Sequence, residues 1–353
     1  MTLLERQNAA HPKVCGEFLS REAIQYLHWF GIDPLDFGAA TIRCVRLAAR
    51  STLAEAPLPF TALSLSRSVL DEALIGRAAQ TGCNVVRGVD VEQLARTGSG
   101  WVAESRNGSS WCAGHLFLAT GKHDLKGLDR APSRQRDLVG FKMHFRLSPS
   151  QTEAIRGAME LFLFPGGYGG LSLVEDNIAN LCLVVRRSTL RRLGAWPDLL
   201  AAILGANRHI GRRLEEAIAL FPRPLAVFPI PYGYLAARND GLWPVGDQAA
   251  VIPSFTGDGM SIALHSGALA AEMFLAGRSA VQYQHTLRAQ LRSGMLFSVL
   301  LSRAMVAAPG RALAPITLSI FPGIMSRIAS STRIPESALP ALPIESGNLR
   351  SAT

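Results

Sequence analysis

The stretch Gly246-Asp247-Gln-Ala-Ala-Val-Ile-Pro253-Ser-Phe-Thr-Gly257-Asp258-Gly259-Met260-Ser261 constrains this chain more than any other. The apolar residues 242–245 read as a strand that ends in Gly-Asp. A proline loop follows, and Gly257-Asp258-Gly259 opens a run of small residues, 259–275, that reads as a helix. Glycines there let a ligand approach the backbone, and a helix start offers unpaired N–H groups to negative charge. Asp247, a carboxylate at a strand end, can accept a hydrogen bond from a sugar-like hydroxyl. Farther upstream, strand, helix and strand follow one another over 61–87, an order that points to an α/β layer.

The rest of the chain has two characters. Residues 2–5 read as the end of a strand. Ser20 caps a helix whose Ala23, Ile24, Leu27 and Phe30 follow the 3.6-residue period, and Gly31 stops it. Alternating segments at 42–48 and 61–66 read as strands, a helix fills 68–80 with Gly82 beyond it, and short strands are expected at 84–87, 101–105 and 111–119. The middle differs. Residues 140–147, 160–164, 170–175 and 179–186 read as antiparallel strands, with Asp176-Asn177 turning one hairpin. Arginine-rich helices fill 188–219, and an extended, proline-punctuated piece covers 222–235. Further helices are expected at 280–306 and 312–330.

With 353 residues there is room for about two domains. The net charge of +9 suits nucleic acid, an acidic ligand or an anionic membrane. Nucleic acid falls away, because aromatic residues make up 7% and no binding module is recognisable. The cysteines (Cys15, Cys44, Cys83, Cys112, Cys182) are odd in number and widely spaced, which implies a reducing, cytoplasmic compartment and no disulfide framework. His11 and Cys15 have ligand-like spacing but no second pair, so no metal is expected. From Arg278 to Arg333 there are seven arginines and no acid. Solvated helix faces are the first reading. The functional one is a peripheral contact of 278–333 with anionic lipid at the cytoplasmic face of a membrane. Arg303, Pro309, Arg311 and Pro315 interrupt the most apolar stretch before about 18 clean residues accumulate, so no span is expected. The N-terminus lacks the pattern of a signal peptide.

The run from Gly246 to Gly267 resembles the second flavin motif of FAD-dependent oxidoreductases with the para-hydroxybenzoate hydroxylase fold, and the geranylgeranyl-reductase-like branch in particular. Other segments agree in order and spacing. Leu3-Leu4-Glu5-Arg6 is similar to the end of a second Rossmann strand, whose acid holds the adenosine ribose. Lys13-Val14-Cys15-Gly16-Glu17 resembles the branch's Cys-Gly motif beside the flavin. Ser66-Arg67-Ser68-Val69-Leu70-Asp71 resembles the helix start near the cofactor, and Leu118-Ala119-Thr120-Gly121 the turn that closes over the FAD diphosphate. Phe164-Pro165-Gly166-Gly167-Tyr168-Gly169-Gly170 resembles the substrate-side strand pair.

The resemblance covers nearly the whole chain and implies a set of roles. FAD would be held by Glu5, Arg6, Cys15, Gly16, Arg67, Thr120, Gly121, Gly246, Asp247, Gly257, Gly259 and Met260. Cys15 is the candidate catalytic thiol, against the alternative of a small buried hydrophobe. Tyr168 and Pro253 would line a substrate pocket, although Tyr168 also reads as a hairpin aromatic. One part of the pattern is missing. The G-x-G-x-x-G fingerprint normally precedes the ribose-binding acid by about 20 residues, and here that acid is already Glu5. The first strand, glycine turn and helix are therefore expected upstream, in a longer reading frame.

The expected architecture is α/β. A Rossmann-like FAD-binding domain, incomplete at its N-terminus, would comprise 1–129 and 240–290. An antiparallel substrate-binding domain, 130–239, interrupts it; a helical C-terminal segment, 291–334, and a flexible tail, 335–353, follow. The expected chemistry is flavin redox on an apolar isoprenoid- or polyketide-like molecule, as hydride transfer to a carbon–carbon double bond. A monooxygenase (hydroxylase) is the alternative, and a non-catalytic remnant that no longer binds FAD is a further one. NAD(P)H is the candidate electron donor.

Overall fold

The computed structural model describes residues 1–49, 52–98, 100–128, 130–131, 133–307 and 332–339. The helix expected at 312–330 and most of the tail lie outside them.

The chain begins with strand β1 (Thr2–Glu5), then the two-residue β2 (Phe18–Leu19) and helix α1 (Arg21–Trp29). Ser20 caps α1 as expected, its Oγ accepting from Ala23 N at 3.4 Å. Strands β3 (Ala40–Ala49) and β4 (Thr52–Ser64) form a long hairpin, and α2 (Arg67–Gln80) starts at the cap Ser66. β5 (Asn84–Arg87) pairs in parallel with β1. The expected strand at 111–119 is broken. β6 (Val91–Thr97), β7 (Gly100–Ser105) and β8 (Ser110–Ala113) make an antiparallel ribbon of their own, and β9 (Phe117–Leu118) is separate. β6 escapes a reading by alternation because it has few apolar positions and no buried residue.

The middle of the chain supplies β10 (Leu138–Arg146), α3 (Pro149–Ile155), β11 (Ala158–Phe164), β12 (Gly167–Leu173) and β13 (Ala179–Arg186). Asp176 and Asn177 turn the β12–β13 connection, both in the left-handed region (φ 57° and 56°) that these two side chains tolerate. Helices α4 (Arg187–Leu193), α5 (Trp196–Ala206) and α6 (Arg208–Leu214) follow, then β14 (Ile218–Ala219), β15 (Leu225–Val227) and β16 (Tyr234–Leu235). β17 (Trp243–Pro244) lies parallel to β9, and β18 (Ala250–Val251) pairs with β16. The last described helices are α7 (Gly259–Leu275) and α8 (Ala280–Val306). α8 opens on a reciprocal cap between Ser279 and Gln282 and runs unbroken through residue 290, where a boundary was expected.

One sheet dominates. Its order is β14-β10-β13-β12-β11-β3-β4-β2, with β15 also on β10; β11 and β3 run parallel, and their neighbours antiparallel. The sheet thus takes β2, β3 and β4 from residues 18–64, ahead of the segment 130–239 in which the antiparallel strands were expected. Side chains alternate across it with period two. Phe141, Met143 and Phe145 of β10, Phe162 and Phe164 of β11, and Leu181 and Val185 of β13 meet Leu199, Ile203, Ile210 and Leu214 of α5 and α6 in one core. On the other face of the sheet, Leu163 of β11 and Cys182 and Val184 of β13 line a cavity.

Candidate active site

That cavity has a volume of about 480 Å³. One part of its lining is charged and glycine-rich. Arg67, at the start of α2, makes a two-pronged pair with Asp71 (2.7 and 3.0 Å), which also binds Lys13 at 2.7 Å. Lys122 Nζ pairs with Asp247 Oδ2 at 2.9 Å. Burial works against the Lys122 ammonium, but the Asp247 carboxylate more than offsets it and raises its pKa. Gly16, Gly121 and Gly259 line the same part, and the space a Cβ would take at each is open. α7 starts here with no side-chain cap, so first-turn N–H groups are left for a ligand. Asp258 just before it is buried, which pushes its pKa up to about 6 against the pull of Arg333, 2.6 Å away.

Behind the Cys15-Gly16 backbone sits a buried carboxylate. Glu17 is fully buried and in the left-handed region at φ 58°. Its Oε1 accepts from Lys142 Nζ and from Arg67 N (2.8 Å), and its Oε2 from His144 Nε2 (2.9 Å). Burial pushes this carboxyl up, but His144 and Lys142 outweigh it, and the pKa ends below the usual carboxylate range. Glu17 N in turn donates to Cys15 Sγ at 3.3 Å, and Asn180 Nδ2 to Cys15 O at 3.1 Å. The strained Glu17 backbone is therefore held by partners on β10 and at the start of α2, and it orients the thiol.

The other part of the cavity is apolar. Val45 and Leu47 of β3, Leu161 and Leu163 of β11, Val184 of β13, and Ile230, Leu301 and Met305 line it. Tyr168 and Tyr232 are its buried polar members. The parts meet at Cys182, whose thiol burial pushes up to about 12 and which feels Cys15.

Of the residues singled out in the sequence, Cys15, Gly16, Arg67, Gly121, Tyr168, Gly246, Asp247, Gly257, Gly259 and Met260 line this one cavity. Glu5, Arg6, Thr120 and Pro253 are not among its lining residues. Glu5 accepts from Gln7 N (2.8 Å), Thr120 Oγ1 donates to the His123 carbonyl (2.7 Å), and Pro253 O accepts from Thr256 Oγ1 (3.0 Å). Sequence reasoning missed Lys122, Glu17, Lys142, His144, Cys182 and Tyr232. Lys122 directly follows the Ala-Thr-Gly turn and was there to be found. The polar residues Lys142 and His144 alternate with Phe and Met, a pattern that reads as a solvent face. Among the described residues no group of His, Cys, Asp and Glu could hold a metal ion.

No family model matches the chain. Digeranylgeranylglycerophospholipid reductase 2 of Methanopyrus kandleri is 25% identical over 295 residues, which cover 77% of this chain and 69% of that protein. This relative and the solved structures below support a geranylgeranyl-reductase-like FAD-dependent oxidoreductase. Solved structures of this oxidoreductase fold superpose over most of its length. A flavin-dependent brominase triple mutant is 15% identical, with TM-score 0.75 over 96% of this chain and 90% of its own. The myxobacterial chondrochloren halogenase, an FAD-dependent halogenase, is 16% identical, with TM-score 0.72 over 93% and 84%.

Proposed function

We propose that this oxidoreductase binds FAD in the charged part of the cavity and reduces a carbon–carbon double bond in an apolar, isoprenoid- or polyketide-like molecule held in the other part. The observation that carries the reading is the continuity of the two parts. A glycine-lined, cation-rich cradle opens directly onto a wall of Val, Leu, Ile and Met. Lys122, Arg67 and the first N–H groups of α7 would hold the anionic cofactor, and Asp247 a hydroxyl of its sugar-like chain. Bound FAD supplies two-electron hydride chemistry, for which the protein furnishes binding, orientation and exclusion of water. Burying the long apolar substrate contributes about 25 cal/mol per Å² of its surface.

NAD(P)H is the proposed electron donor. No helix among the described residues is long and apolar enough to cross a membrane. The exposed face of α8 carries Arg288 and Arg292 with Phe297 and Leu300, a composition suited to peripheral contact with anionic lipid at a cytoplasmic membrane face.

Chemically reduced, FAD-loaded protein kept free of oxygen should saturate a double bond in a long isoprenoid, detected as a gain of two hydrogens by mass spectrometry. Turnover that needs oxygen, with label from the gas in the product, would overturn this reading in favour of a hydroxylase. Asp247→Ala should weaken FAD by roughly 1.5–3 kcal/mol, the worth of a hydrogen bond to a charged group; unchanged affinity would make the carboxylate structural.

A further inference from the structure

Against the apolar wall, four hydroxyls form a small polar island that the reading above does not use. Tyr232 Oη donates to Ser254 Oγ at 2.8 Å and accepts from Ser254 N at 3.1 Å. Tyr168 Oη lies 3.4 Å from Ser302 Oγ, and Ser302 donates its own proton to Gln135 Oε1 at 3.2 Å. The proton between Tyr168 and Ser302 therefore comes from Tyr168. Tyr232 spends its proton on Ser254. Ser254 keeps its own, and that proton has two places to go: the neighbouring Tyr168 oxygen or the cavity. Ser254 is exposed and lines the cavity, whereas both tyrosines are almost fully buried. A hydroxyl that already accepts from a phenol is a stronger donor in turn, because chained hydrogen bonds polarise one another.

Facing the cavity, this donor is placed to meet an acceptor brought by the ligand, and once the ligand has displaced water that acceptor must replace the lost hydrogen bond. Hydride addition to an isolated double bond leaves an electron pair on carbon, where a hydroxyl stabilises little. Addition to a double bond conjugated with a carbonyl sends that pair to oxygen, where a hydroxyl acts strongly.

We propose that Ser254, backed by Tyr232, holds a carbonyl oxygen of the substrate, and that the double bond reduced is the one conjugated to it. The substrate class is then a long apolar enone or enal. The hydride adds to the carbon β to the carbonyl, the π pair moves to oxygen as an enolate bound by Ser254, and the α carbon takes a proton from water. The flavin is oxidised and the enone is reduced. The proposal rests on the double-bond reading of the function. Burial raises the pKa of both Tyr168 and Tyr232, so both phenols hold their protons through the neutral range.

The test has two arms. In the first, a polyprenyl enone is added to the cofactor-free chain, where hydrogen bonding to its carbonyl red-shifts its absorption. The shift should be present in the native chain, lost in Ser254→Ala and regained in Ser254→Thr. In the second, reduced holoprotein is given the enone and the same chain with its double bond moved out of conjugation. The enone should be the better substrate by at least about 100-fold, and Ser254→Ala should lose about 100-fold in kcat, as when one such donor is removed elsewhere. Equal reduction of the two isomers, or a red shift indifferent to Ser254, overturns the proposal while double-bond reduction stands. A Ser254-dependent shift with neither isomer reduced supports the carbonyl site and overturns the reductase reading instead.

Discussion

Two carboxylates, Glu17 and Glu160, are fully buried on opposite faces of the same sheet, and each gathers cations. Glu160 binds Arg46 Nη1 at 3.2 Å and Arg213 Nη2 at 2.9 Å, with His209 Nε2 2.9 Å from its Oε2. Arg213 and Arg46 also donate to the Ala154 carbonyl, so the cluster pins α3 and α6 to β3 and β11. Every residue of it sits in relaxed backbone. Glu17 has the same chemistry but a left-handed backbone, and a cavity-lining thiol hangs on its N–H. Glu160 ties helices to a sheet. Glu17 ties a strained loop to a site, and strain of that kind persists where surrounding partners over-determine it.

Removing Glu160 should have the largest effect. Glu160→Ala leaves two arginines in a site built for a carboxylate, and breaking a buried pair costs about 3–5 kcal/mol. The loss should appear as a lower urea midpoint, with FAD affinity of the folded protein unchanged. Weaker FAD binding would mean that the two faces are not independent.

Acid should remove part of the same stabilisation. Burial pushes the Glu160 carboxyl up, but His209 and Arg213 outweigh it and hold its pKa at about 2, against 4.5 unperturbed. A depressed folded pKa gives stability that is complete above about pH 4.5 and drains as the pH falls through about 2. Roughly 3 kcal/mol should disappear over that window. In Glu160→Gln the contribution is absent at every pH, so its stability should be the flatter function there. A parallel decline of both proteins would assign acid sensitivity to other groups.

Glu17→Gln keeps the shape and removes the charge. We expect a loss of roughly 1.5–3 kcal/mol in stability, the usual worth of charged hydrogen bonds, together with weaker FAD binding measured by flavin fluorescence. Loss of stability with flavin affinity untouched would reduce Glu17 to a second Glu160, and the contrast would collapse.

The smallest effect concerns Cys182, which shares the cavity with Cys15. With its pKa pushed up to about 12, its thiolate is scarce at pH 8, and alkylation by iodoacetamide should be about 1,000-fold slower than for a thiol at its ordinary value. The exposed Cys112 is the internal reference. Comparable modification of the two would mean that Cys182 sees water freely.

Much of this molecule could be read beforehand because its signals are local. Ser20 and Gly31 bracket α1, Asp176-Asn177 turns its hairpin, and the glycine run from Gly246 places the start of α7. The two buried carboxylates are illegible for the opposite reason. Glu160 is one acid in an apolar strand, and its partners Arg46, His209 and Arg213 lie far from it in sequence and close only across the folded sheet. Lys142 and His144 alternate with apolar neighbours, and period-two alternation marks two unlike faces without saying whether the polar one meets water or a cavity. β2 is two residues long and has no pattern of its own; Ser64 and Leu63 of β4 give it its place.

β13 gives the cavity something like a scale. Asn180 reaches the Cys15 carbonyl, Cys182 stands where the charged and apolar parts meet, and Val184 belongs to the apolar wall. They are alternate residues of one strand, and at about 3.3 Å per residue the first and last are about 13 Å apart. A molecule lying along β13 is thus read by position, with polar contact, thiol and aliphatic surface in fixed succession. Bulk added at 184 would shorten the reach of a tail, whereas bulk at 182 would divide one chamber into two.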